Sequence, residues 1–238
     1  MSRRNALALR LSTLASSMTA PLLLQPIHED PHLLVLDKPA GLLCVPGRGE
    51  DKQDCLSARA MHQWPDALIV HRLDMWTSGL VVMARGVEMQ RALSTAFADR
   101  LVHKRYEAVV DGAMPVRDDW SLIDAPLMAD WPRRPLQKID PAGKPSCTRW
   151  RALASSRPGD PDATHVLLEP LTGRTHQLRV HLAFIGHPIL GDALYGNAEV
   201  QARAPRLLLH ASELGFVHPV TQQDLRFESK PDFALSRP

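Results

Sequence analysis

The segment from Val70 to Gly79, VHRLDMWTSG, decides how the rest of the chain is read. It sets a basic residue, Arg72, and a carboxylate, Asp74, two positions apart, with His71 beside them and a small polar Thr77-Ser78-Gly79 turn behind. Apolar runs flank it, Leu68-Ile69-Val70 before and Leu80 to Ala84 after, and both predict buried strands. A carboxylate is thereby delivered to the end of packed structure, where its position can be fixed. A lone Asp in a loop is usually a turn former or a helix cap. Here Arg72 is expected to ion-pair with Asp74 and hold it ionised, as a nucleophile or general base requires.

Outward from this segment, 238 residues suffice for one domain with a sizeable core. A 45% hydrophobic and 23% charged composition is that of an ordinary globular protein, and 20 Pro against 13 Gly predict many rigid loops. The net charge of +2 is too mild to identify a nucleic-acid partner by itself. Its distribution says more: Trp131 to Arg151 holds six basic residues against one acid, Asp140, a pattern that fits either a solvated face or a phosphate-following segment. Cys44, Cys55 and Cys147 form no CxxC pair, which argues for a reducing, cytoplasmic compartment and against a disulfide framework or a zinc site. His71, His176, His181 and His187 with Asp74 and Asp192 raise the idea of a metal cluster. His176 and His181 are five apart, however, a spacing that shares neither a helix face nor a strand face, and no metal site is expected.

Residues 1–27 contain no acid and three arginines, Arg3, Arg4 and Arg10, and are expected to form a disordered extension. Arg10, Pro21 and Pro26 interrupt the apolar stretch, so neither a secretory core nor a membrane span is expected there. The ordered domain is expected over residues 28–233, with 234–238 as a tail. His32 to Gly41 reads as a strand ended by a Pro/Gly turn, with Lys38 a surface lysine at its end. Cys55 to Trp64 and Val87 to Arg100 read as helices, and Leu101 to Val110 as a strand carrying Tyr106, by itself an ordinary core tyrosine. Asp118 to Lys144 reads as turns and an extended ribbon, and His165 to Pro170 as a strand. A turn then leads into a helix over Leu178 to Ile185, capped by Thr175, with Arg179 one turn beyond the cap. Gly186 to Gly196 reads as a loop, and Gly215 to Glu228 as strand-like.

Three ordered motifs carry a resemblance: HRLD with TSG, then KRYEAVV at Lys104 to Val110, then LTGRTHQLRVHLAFIGHPILGDALYG at Leu171 to Gly196. Together they resemble the RluA-type RNA pseudouridine synthases over most of the chain. The resemblance implies a single α+β catalytic domain of the pseudouridine synthase fold. That fold has a long mixed, mainly antiparallel sheet flanked by helices and loops, with a basic central cleft. It implies isomerisation of uridine to pseudouridine in RNA, a reaction that needs neither cofactor nor metal. It assigns Asp74 as nucleophile, Arg179 as its ion-pair partner, and Tyr106 as the residue that stacks on uracil and takes the C5 proton. Arg72 is implied to fill the space that the flipped base vacates.

VPGR, HRLDM, DWPRRPLQK, GKP and PRLLLHA are similar to the branch of the family that acts on small substrates. That similarity implies 23S ribosomal RNA and tRNA anticodon stem-loops as partners, phosphate contacts from Arg133, Arg134, Lys138 and Arg174, and a monomer with no membrane and no obligatory protein partner. Trp76 departs from the pattern, since a smaller residue is usual there, and its ring is expected to narrow the cleft. The rival readings are a metal-dependent RNA hydrolase and a non-catalytic RNA-binding or ribosome-assembly module.

Overall fold

The computed structural model of the chain describes residues 23–154 and 162–233. The expected extension therefore lies outside the described residues up to position 22, as does the expected tail at 234–238. The strands are β1 Pro26–Glu29, β2 Leu33–Lys38, β3 Ala67–Ile69, β4 Ser78–Arg85, β5 His103–Asp111, β6 Ser121–Asp124, β7 Leu127–Ala129, β8 Gln137–Ile139, β9 Cys147–Ala154, β10 Ala163–Pro170, β11 Leu209–Val217 and β12 Asp224–Glu228. The helices are α1 Leu56–Gln63, α2 Val87–Ala98, α3 Gln177–Phe184 and α4 Ala198–Ala202.

Among the described residues, one large sheet runs β1-β2-β4-β11-β5-β10-β9-β6, with β3 also on β4 and β12 also on β11, and β7-β8 form a separate hairpin. The β4–β11 pair is parallel, with His210 opposite Ser78 and Ala211 opposite Gly79, while the other paired strands are antiparallel. This is the α+β, mixed and mainly antiparallel sheet that the resemblance implies.

β4 is buried on both faces, as its unbroken apolar run requires. Alternation sends Val81 and Met83 toward Leu56 and Ala60 of α1, and Leu80, Val82 and Ala84 toward Met89 and Leu93 of α2. A further core gathers Ala108, Val110, Val166 and Leu168 against Leu178 and Leu182 of α3. Tyr106 packs against both this core and the α1 side, so it stands where two halves of the sheet meet.

Gly79 permits the parallel pairing. Its φ is +110°, and a Cβ there would lie 2.3 Å from the Ala211 carbonyl oxygen. The approach of β4 to β11 brings the 70–77 loop onto the middle of the sheet.

Three expectations need correction. β1 begins at Pro26, so Pro26 and Ile27 belong to the sheet rather than to the extension, and Leu24 is tied to the Gln63 side chain through both its amide (3.0 Å) and its carbonyl (3.2 Å). Thr175 does not cap α3. The cap position is His176, in left-handed backbone at φ 54°, and the preceding turn is held instead by the Gln177 side chain, which accepts from the Thr172 hydroxyl (2.7 Å) and the Arg174 amide (3.1 Å). Finally, α4 forms just beyond the loop read over Gly186 to Gly196, in a stretch for which no element was expected, with the Asn197 side chain accepting from the Val200 amide at 2.9 Å.

Candidate active site

Asp74 sits in the loop between β3 and β4, fixed from both sides. The buried Leu73 before it donates its amide to the Cys44 thiol at 3.2 Å, and the Thr77 amide closes a turn onto the Asp74 carbonyl at 3.1 Å. The next residue is anchored from the far side of the loop. The Met75 carbonyl accepts from the Gly41 amide at 2.9 Å and from Lys38 Nζ at 3.0 Å. Lys38 is not the surface lysine expected from the sequence. Its residue is fully buried, and its ammonium spends its remaining donors on the carbonyls of Pro39 and Leu42, both at 2.8 Å. Burial lowers its pKa to about 8.

Arg179, on α3, reaches Asp74 from the opposite wall: Nη1 donates to Oδ2 at 3.2 Å. The guanidinium is buried and is aimed by a second carboxylate, Asp192, which accepts from Nε at 2.8 Å and Nη2 at 2.7 Å. Asp192 is itself locked by the amides of Leu194 and Tyr195, at 2.9 and 3.2 Å. Burial works against the charge on Arg179, but the hydrogen bonds and charges of Asp192 and Asp74 outweigh it and raise its pKa above the ordinary value. The ion pair expected between Arg72 and Asp74 is not formed. Arg72 is exposed, and the partner of Asp74 is Arg179, 105 positions along the chain.

His176 completes this wall, with Nε2 3.8 Å from Asp74 Oδ2. Burial lowers its pKa, so the ring is neutral at pH 7. The Tyr195 hydroxyl accepts from the Gln137 amide at 2.9 Å and lies 2.7 Å from His176 Nδ1. The left-handed backbone of His176 is the kind of local strain that surrounding structure maintains at functional sites.

Two cavities open on Asp74. One, of about 530 Å³, is lined by Tyr106 and by Arg72, Arg100, Lys104, Arg174 and Arg179, with Asp74 the one acid among the described residues of its wall. The other, of about 620 Å³, shares Arg72, Asp74, His176 and Arg179 and then becomes mainly apolar. Burial, reinforced by the Asp74 charge, raises the pKa of Tyr106 and keeps its phenol protonated.

The RNA-contact residues expected from the sequence separate into two groups. Arg72 and Arg174 line the basic cavity. Arg133 and Lys138 are engaged by neighbouring carboxylates, Asp130 at 2.6 Å and Asp140 at 2.8 Å, while the Arg134 guanidinium lies 3.4 Å above the Trp131 ring. The sequence reading missed Lys104, Arg100 and Tyr195, and weighed Asp192 and His176 only as metal ligands. For Lys104 a signal was available, since it shares a strand face with Tyr106 two positions on.

Among the described residues, no three His, Cys, Asp or Glu side chains gather in a way that could hold a metal ion. The other histidines weighed for such a role are spent separately. His181 lies between the Thr148 hydroxyl and the Ala125 carbonyl, both at 2.9 Å, and His187 contacts the Asp111 carbonyl at 2.7 Å. No described helix is long and apolar enough to cross a membrane.

The family model described as RNA pseudouridylate synthase matches residues 32–184. The dual-specificity RNA pseudouridine synthase RluA of Escherichia coli K12 is 42% identical over 208 residues, covering 87% of this chain and 93% of the relative. Its namesake from Vibrio parahaemolyticus is 46% identical over 195 residues, covering 81% and 77% respectively. Among solved structures, human RNA pseudouridylate synthase domain containing 1 superposes with a TM-score of 0.73 at 27% identity, covering 89% of this chain and 84% of that one. Human RNA pseudouridylate synthase domain containing 4 gives 0.69 at 25% identity, with 87% and 88% covered.

Proposed function

The chain belongs to the RNA pseudouridylate synthase family, and we propose that it isomerises uridines in 23S ribosomal RNA and in tRNA anticodon stem-loops, with Asp74 as nucleophile. One observation carries the assignment of Asp74: it is the one carboxylate among the described residues of a cavity lined by five Arg and Lys side chains. Such a wall attracts a polyanion and leaves a single negative group to act on what enters.

Pseudouridine formation breaks the N1–C1′ bond of uridine, turns the uracil and rejoins it through C5. Attack on C1′, removal of a ribose proton to give a glycal, and attack on C6 all begin from the same carboxylate. Arg179 aligns Asp74, and Asp192 keeps Arg179 in place. His176 lines the same wall, with Nε2 3.8 Å from that carboxylate oxygen. Tyr106 offers its ring to the uracil.

A uridine in a stem-loop is stacked, and extruding it costs about a few kcal/mol. Arg72, exposed and bordering both cavities, fills the vacated position while Asp74 meets the flipped sugar. The two-RNA reading is supported by the dual-specificity relatives and by the size of the site, which suits a loop shape and a few bases rather than a long duplex. The enzyme acts as a cytoplasmic monomer, with no obligatory protein partner.

A tritium-release assay on C5-labelled uridine tests the proposal, with separate 23S ribosomal RNA and tRNA stem-loop transcripts. Wild type releases tritium from both, and Asp74→Asn from neither while still binding RNA. Release by Asp74→Asn at the wild-type rate removes Asp74 from the mechanism, and release from one transcript alone confines the enzyme to that RNA.

A further inference from the structure

The second cavity is not used by the reaction as described. Away from the border at Asp74, its wall turns to Leu43, Pro46, Trp76, Leu194, Pro205 and Leu207. Its volume of about 620 Å³ lies in the range of pockets that enclose small organic groups.

Trp76 is the largest aromatic surface in this wall, and 47% of it is exposed. The ring is backed by Gly41, where a Cβ would lie 3.5 Å from Trp76 Cζ3. The backing is rigid, because the Gly41 amide and the buried Lys38 ammonium both bond the carbonyl of Met75, the residue before Trp76. The indole is therefore held against a fixed turn with much of its surface open to the cavity. An aromatic group already ordered in this way loses little freedom when another ring stacks on it.

We propose that this cavity receives the unpaired base adjacent to the flipped uridine, stacked on Trp76. The inference rests on the reading of Asp74 as the reacting carboxylate and deepens it. Neighbouring nucleotides are separated by one phosphodiester link, and Trp76 is two residues from Asp74 on the same loop. A base covalently next to the uridine therefore meets the second cavity by connectivity alone. Arg72 lines both cavities at their shared border and has no carboxylate within ion-pair distance among the described residues, so its positive charge stands beside the link between the two nucleotides. Stacking uses the π-face that every base has, so Trp76 anchors a nucleotide without reading its identity. Such an anchor allows one site to accept loops of unlike sequence.

The test is a binding cycle on stem-loop transcripts carrying an abasic nucleotide on the 5′ or the 3′ side of the target uridine. Kd is measured with wild type, Trp76→Ala and Trp76→Phe, alongside tritium release by wild type from unmodified RNA. On one side, loss of the base weakens wild-type binding about tenfold, the order expected of one base–aromatic stack. Trp76→Ala weakens binding to intact RNA by a similar factor, the two losses together cost no more than either alone, and Trp76→Phe retains most of the affinity. An unchanged Kd for Trp76→Ala overturns the proposal, as do losses that multiply on both sides. Absence of tritium release from wild type counts against the synthase reading instead, since the binding cycle needs no turnover.

Discussion

Asp192 takes two nitrogens of Arg179, Nε at 2.8 Å and Nη2 at 2.7 Å, and leaves Nη1 to reach Asp74 at 3.2 Å. One guanidinium is thus shared between a carboxylate that positions it and the carboxylate proposed as nucleophile. Breaking the positioning half by Asp192→Ala leaves a buried guanidinium with a single, partly exposed partner. The expected destabilisation is about 3–5 kcal/mol, the usual cost of removing one member of a buried pair. Asp192→Asn is expected to be milder in stability but to lower kcat with little change in KM, because the aim of Arg179 is lost while the RNA-binding wall remains. Urea unfolding and steady-state tritium release check both, and a normal kcat in Asp192→Asn would exclude a positioning role.

Gly79→Ala is expected to be among the most damaging single substitutions. The added Cβ would meet the Ala211 carbonyl oxygen at 2.3 Å in backbone of positive φ, and both neighbours are strand backbone that cannot yield alone. A loss above about 4 kcal/mol is expected, seen as a lower urea midpoint or failure to accumulate folded protein. Gly173→Ala, which meets nothing within 4 Å, is the control and leaves the midpoint nearly unchanged.

Stability is expected to fall on the acid side because of His71. Burial holds its pKa at about 3, with the Lys104 charge a secondary cause. Its ring accepts from the Val82 amide at 3.1 Å and stacks on Phe97. The folded pKa lies below the unfolded one, so the unfolded chain takes up the proton first. The stability this confers is complete above the ordinary imidazole value of 6.5 and drains away as pH falls toward 3. One unit below the unfolded pKa, at about pH 5.5, the loss is about 1.4 kcal/mol. His176, His181 and His210, whose pKa values burial also lowers, add in the same direction. Urea unfolding at pH 7.5 and 5.5 measures the difference, and His71→Gln, which keeps an acceptor but cannot titrate in this range, is expected to shrink it.

RNA affinity is expected to depend on salt through the cavity cations rather than the hairpin cations. Lys104→Gln and Arg174→Gln should each lower the slope of log Kd against log salt by about 0.7, the value for one phosphate contact on a single strand. Arg133→Gln and Lys138→Gln, at residues already paired with Asp130 and Asp140, should change it little. Equal slope changes in all four would show that the hairpin follows the RNA backbone too.

Much of this was legible in the chain itself. The β4 run, the amphipathic α2 and the strand bearing Tyr106 follow from local periodicity, and the ordered motifs pointed to the family and to the contact between Arg179 and Asp74. Lys38 was misread because its partners are the backbone carbonyls of Pro39, Leu42 and Met75, groups that every sequence supplies and no motif marks. Arg72 was assigned to Asp74 because the two are neighbours in sequence. The structure gives that partnership to Arg179, because the β4–β11 pairing and the packing of α3 bring distant residues to one point.

The sequence by itself determined which side chains are available and which short elements carry them, since those depend on local periodicity and residue type. Tertiary structure alone decided that Asp192 aims Arg179, that Tyr195 holds the ring of His176, and that Trp76 stands open on a second cavity. These relationships depend on distances between residues far apart in the chain, which are fixed only when the sheet closes its long-range pairings and buried polar groups must find partners.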